Sequence, residues 1–129
     1  MKRFLFAAVL AGGLTLMGRP LYAHHSFAAS YISGETREIE GTVVQFLFRN
    51  PHSFLDVTAP DEHGVMQTWT IEWVAGGLLG RQGLTRDSLK PGDHVIAVGN
   101  PGRNPQDHRM RLISISRPAD GWKWRATLD

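Results

Sequence analysis

"MQTWTIEWV", residues 66–74, decides the fold. Trp69, Ile71 and Trp73 fall on alternate positions, with Thr68, Thr70 and Glu72 between them. A period of two is the signature of a half-buried β-strand, since successive side chains point to opposite faces. The tryptophan face is therefore core. Glu72, a carboxylate set between two tryptophans, becomes a candidate functional group on the other face.

Working outward, the same texture recurs. "EIEGTVVQFLF", residues 38–48, is rich in β-branched and aromatic residues, and its late part is apolar on both faces, which predicts burial on both sides there. "RNPHS" is a break, because Pro51 lacks an N–H and restricts Asn50. "SFLDVTA" places Leu55 and Val57 on one face and Phe54 and Asp56 on the other, and "PDEHG" is a turn. After residue 74 the pattern changes: "AGGLLGRQG" predicts a short helix weakened by its glycines, and "LTRDSLKPGD" a single turn of helix with Thr85 as cap. "HVIAVGN" and "RMRLISIS" read as further strands around the loop "PGRNPQDH". An Asp120-Gly121 turn then leads into "WKW", a final hairpin strand. Five to six short strands with one short helix after the third predict a mainly β chain: a small antiparallel Greek-key barrel of the OB type. An open antiparallel sandwich is the alternative. No repeat or parallel α/β pattern is present.

The N-terminal segment does not belong to this fold. Lys2 and Arg3 precede the uncharged run "FLFAAVLAGGLTLM", residues 4–17, which is short of the ~20 apolar residues a membrane span needs. Gly18 and Pro20 break the helix, and "LYA" ends in a small residue at Ala23. Residues 1–23 are expected to be a cleavable signal peptide, sending the protein to the periplasm or beyond. Residues 24–37 are then an arm and 38–129 the barrel domain. Three of the 14 basic residues (Lys2, Arg3, Arg19) lie in the leader, leaving 11 against 12 acidic ones in the mature chain. A near-neutral exported domain argues against a nucleic-acid partner. With no cysteine, disulfides, thiolate metal sites and cysteine nucleophiles are excluded.

Four motifs in order, "AHHSFAA" (23–29), "RNPH" (49–52), "WTIEW" (69–73) and "GLTRDSLKPGD" (83–93), make the chain resemble a family of small exported proteins of Gram-negative bacteria described as a domain of unknown function. The resemblance implies a signal peptide, a small β-rich domain and a location outside the cytoplasm. It implies no reaction. The chain departs from the family pattern at "NPGRNPQDHRM", residues 100–110, where a smaller, alanine-containing stretch is expected.

Cleavage after Ala23 would give His24 a free α-amine of pKa ~7.7–8.0, which with its own Nδ1 can chelate one cation. His25 adds a second imidazole. A cut one residue earlier would place His25 third, with amine, two amides and imidazole in a square plane. Either arrangement suits Cu(II), which prefers tetragonal nitrogen sites. A specific site needs a further ligand from the domain, and His52, fixed after Pro51, is the first candidate, with Glu72 the second. An N-terminal histidine plus a second histidine is also the arrangement of histidine-brace proteins, some of them oxygenases; a mature chain of 106 residues leaves little room for their substrate surface, so carriage rather than catalysis is expected. His63, His94 and His108 lie in or beside turns and are expected to be bystanders. Ser26 and Ser53 neighbour histidines, but adjacency in sequence does not make a triad. No nucleotide-binding glycine motif occurs. The alternative to a copper carrier is a metal-free module binding an envelope protein, a glycan or a small molecule, with Trp122 and Trp124 as stacking residues.

Overall fold

The computed structural model describes residues 27–127. The expected signal peptide and the candidate ligands His24 and His25 lie outside the described residues. Among the described residues six strands form: β1 (Arg37–Leu47), β2 (Phe54–Pro60), β3 (Met66–Glu72), β4 (His94–Pro101), β5 (Arg109–Arg117) and β6 (Trp122–Arg125), with a short helix, α1 (Gly76–Arg81), between β3 and β4. The sheet order is β3-β2-β1-β4-β5-β6, and an added β3–β5 pairing closes the first five strands into a barrel with β6 outside it. The expected small barrel with a helix after its third strand is what forms. One contact in it, Thr70–Glu72 of β3 beside Arg109–Arg111 of β5, is parallel; the other pairings are antiparallel.

β1 is long because it serves two neighbours. Its first half pairs with β4 from Arg37 to Thr42, and its second half with β2 from Thr42 to Leu47. Gly41 sits at the crossover, where any Cβ would collide with the Thr58 carbonyl oxygen. A bulge between Val43 and Gln45 follows. It breaks the alternation, so the late part of β1 is not buried on both sides as its composition predicted: Val44 is 47% and Leu47 36% exposed. Bulges turn a strand sharply, and this one bends β1 around the barrel.

The inward residues of all five strands fill the barrel: Val43, Leu55, Val57, Trp69, Ile71, Val95, Ala97, Met110 and Leu112 are buried. Trp69, Ile71 and Trp73 share the core face as their spacing required. α1 closes one end with Leu79, which is fully buried. Its entry is fixed by two backbone donors: Gly76 N–H to the Arg49 carbonyl (2.8 Å) and Gly77 N–H to Asn50 Oδ1 (3.0 Å). The stretch at 85–88 is a single hydrogen-bonded turn: Ser88 N–H donates to Thr85 O (3.0 Å), Thr85 Oγ1 accepts from Asp87 N–H as a cap, and Ser88 Oγ accepts from Thr85 N–H.

The arm packs on the barrel. Residues 27–30 form a helical turn, and Tyr31 bridges to Gly102. Ile32 N–H donates to Pro101 O (2.9 Å), Arg103 N–H to Ser30 O (3.0 Å), and Arg103 Nε to Ala28 O (2.7 Å). The stretch at 100–110 thus holds the arm. Among the described residues, no helix is long and apolar enough to cross a membrane.

Candidate functional site

Glu72 is the last residue of β3, at the point where the barrel closes. It stands opposite Phe54 in β2 and beside Arg111 in β5. His52 precedes Phe54 by two residues and so shares its face, which brings the imidazole to the carboxylate. Backbone bonds extend the β2–β3 ladder past the strand ends, from Ser53 N–H to Val74 O (3.1 Å) and from Trp73 N–H to Ser53 O (2.8 Å), and these fix the chain beside His52. The Ser53 hydroxyl is fully buried and exchanges hydrogen bonds with the Arg49 backbone, so it is a structural clasp and not a nucleophile.

The two candidates on the domain, His52 and Glu72, therefore meet. His52 Nδ1 lies 2.7 Å from Glu72 Oε1. The other oxygen, Oε2, accepts the Tyr31 hydroxyl at 2.5 Å and has the Arg109 guanidinium 3.7 Å away. Both oxygens of Glu72 are thus committed to protein donors. Its geometry is that of a carboxylate orienting a histidine rather than of a free ligand. Nδ1 is the imidazole nitrogen turned to the Glu72 carboxylate, which leaves Nε2 without a bond to Glu72. Burial first, then the hydrogen bond to Glu72, pushes the Tyr31 phenol far above its ordinary range, so it keeps its proton and donates it to Glu72.

Around this chain lies a cavity of about 260 Å³. Its walls come from the arm (Phe27), the β1–β2 loop (Pro51, His52), the end of β3 (Glu72, Trp73), β5 (Arg111) and the C-terminal hairpin (Trp124). The Phe27 ring is 5.6 Å from that of His52, and the Arg111 guanidinium lies 3.8 Å from the centre of the Phe27 ring. Trp124 meets Trp73 edge to face at 4.9 Å. Trp122 lies elsewhere, against Arg117 at 5.4 Å. Of the two C-terminal tryptophans named from the sequence, the fold thus brings only Trp124 to the His52–Glu72 pair.

The remaining histidines are dispersed. His94 pairs with Glu40 at 2.8 Å on the surface, His63 is 3.6 Å from Glu62, and His108 packs edge-on to Trp69 at 5.1 Å. Among the described residues, no three histidine, aspartate or glutamate side chains converge as a metal-holding group. Phe27 and Tyr31 were not singled out from the sequence, and Arg111 reads there as one of five late arginines able to meet an anion or to face solvent. A signal for two of them was present: Phe27 and Tyr31 are four residues apart, a spacing that puts both on one side of a helical turn.

Fold and site together define a small closed β-barrel with an aromatic cavity at its seam, entered by a histidine fixed on a buried carboxylate. The chain belongs to a family of unknown function, DUF6152, whose profile matches residues 13–111. No curated protein and no solved structure matches it.

Proposed function

We propose that the protein is an exported, non-catalytic binding domain that carries copper between His52 and the histidines of its mature N-terminus. The observation that supports this is the position of Phe27 against His52. His25 precedes Phe27 by two residues and His24 by three, no more than ~10 Å of chain. The arm is thus anchored where either imidazole can reach the His52 ring. His52 brings a second property of a metal ligand: its Nδ1 faces a carboxylate, which orients the ring and leaves Nε2 for a metal.

Mass spectrometry of the exported protein identifies its first residue. Cu(II) titration then compares the mature protein, its His52→Ala variant and a form with one extra N-terminal residue. One-to-one binding weakened about tenfold or more by each change is the expected result. Equal binding by all three forms would end the proposal. Full affinity in His52→Ala alone would assign the copper to the N-terminal tail without the barrel.

A further inference from the structure

The outer face of β1, β4, β5 and β6 carries a pattern that neither the core nor the histidine site uses. Strand register sets its side chains in rows across the sheet. One row runs Glu40, Ile96, Ser116, Lys123; the next, two residues along each strand, runs Glu38, Val98, Ser114, Arg125. These side chains point away from the core, because the residues between them point into it: Ile39, Ala97 and Ile115 are buried, and Trp124 packs on Trp73.

Each row begins on an acid, crosses an aliphatic side chain and a hydroxyl, and ends on a base. β1 thus presents a column of carboxylates and β6 a column of cations, three strand spacings or about 14 Å apart. That is beyond the ~8 Å over which exposed charges act at physiological salt, so the columns do not neutralise each other. Among the described residues Glu38, Lys123 and Arg125 enter no ion pair, and Glu40 has only His94. Between the columns lies a groove lined by these strands alone.

A face with acids along one edge and bases along the other is complementary to a second copy of itself. Consider a two-fold axis parallel to the strands, between β4 and β5. It lays the carboxylate column of each copy over the cation column of the other, at both edges at once. Every contact then occurs twice, as an isologous interface requires. An axis running across the strands would set acid on acid and base on base, which is unfavourable.

We infer that two copies of the chain pair through this face, Glu38 meeting Arg125 and Glu40 meeting Lys123 of the second copy. Ile96 and Val98 then lie over Ser116 and Ser114. The patch is small beside the ~800 Å² per partner of a standard interface, so the dimer is weak, with a dissociation constant on the order of 100 μM. His52 and the N-terminal histidines take no part, so the pairing stands or falls apart from the copper proposal.

Sedimentation equilibrium of metal-free mature protein, from about 10 μM to about 1 mM, measures the association. A reversible monomer–dimer equilibrium is expected, weakened about tenfold or more by about 0.5 M NaCl. Glu38→Arg alone and Arg125→Glu alone each weaken it about tenfold or more, since each sets like charges together at both edges. Mixed in equal amounts, the two variants recover association to within about threefold of wild type, because each supplies the charge the other's edge lacks. Within one chain the two positions are about 14 Å apart, so no intrachain pair can produce that recovery. A wild-type chain that stays monomeric up to about 1 mM overturns the proposal. A dimer indifferent to both substitutions, or variants that do not recover on mixing, would place the association on another surface and overturn it equally.

Discussion

Two histidine–carboxylate pairs of nearly equal length sit on this barrel. His52 and Glu72 are 2.7 Å apart; His94 and Glu40 are 2.8 Å apart. Distance does not separate them, but surroundings do. The Glu72 side chain is 11% exposed and takes further donors from the arm and from β5, whereas Glu40 is 57% exposed. Where water competes, an ion pair contributes little and salt screens it. Where the carboxylate is enclosed, a buried donor such as the Tyr31 hydroxyl would otherwise be orphaned. Glu72 therefore ties the arm, the β1–β2 loop and the closing strand together, and Glu40 decorates a surface.

The sharpest way to break this comparison is to delete each carboxylate in turn. Glu72→Ala is expected to cost about 2–3 kcal/mol of unfolding free energy, because the Tyr31 hydroxyl is left buried without an acceptor. Arg109 and His52 are each partly exposed and can turn to water, which keeps the loss below that of a fully enclosed ion pair. Glu40→Ala is expected to cost less than ~0.5 kcal/mol. Urea denaturation of both variants measures the difference, and equal losses would mean that enclosure does not distinguish the two pairs.

This distinction was only half legible in the sequence. Alternation fixed the core face of β3 and nominated Glu72, and Pro51 nominated His52; both readings use residues a few positions apart. What encloses Glu72 comes from far along the chain: Tyr31 is 41 residues away, and Arg109 arrives through the parallel contact that closes the barrel. No local pattern announces that contact, so a site facing outward on β3 alone becomes interior only once β5 and the arm are in place. The bulge at Val44 escaped for the opposite reason. "VVQFLF" is locally a good two-sided buried strand, and it is the curvature of the closed barrel that turns Val44 and Leu47 out to solvent.

A subtler change sharpens the same contrast. Tyr31→Phe keeps the buried ring and removes only the donor to Glu72, with an expected loss of about 1–2 kcal/mol near neutral pH. Its pH profile carries the signature. The folded phenol ionises well above its unfolded value of 10.0, so its contribution is intact below that pH. Above it, the unfolded chain releases a proton that the folded one keeps, and stability falls. Wild-type protein should therefore lose stability as pH rises past about 10, and Tyr31→Phe should lose less. Parallel alkaline limbs in the two proteins would show that the Tyr31–Glu72 bond is not formed in solution.

The smallest effect belongs to a third carboxylate, which keeps its charge by accepting backbone bonds rather than by meeting a histidine. Asp61 receives the N–H groups of Val65 (2.9 Å) and His63 (2.8 Å) and the Gln67 amide (3.1 Å), while His108 stays 3.9 Å away. The Val65 backbone bond, followed by the Gln67 amide, holds its pKa below the ordinary carboxylate value of 3.8. A lowered pKa stabilises the fold above the unfolded value, and that contribution disappears as pH falls through the folded one. Asp61→Asn keeps an oxygen acceptor for the turn, so near neutrality its urea midpoint should fall by less than that of Tyr31→Phe. As pH falls through the folded pKa the gap to wild type should close, because the wild-type carboxyl is then protonated too. A gap that persists unchanged in acid would assign the loss to turn geometry, not to the charge.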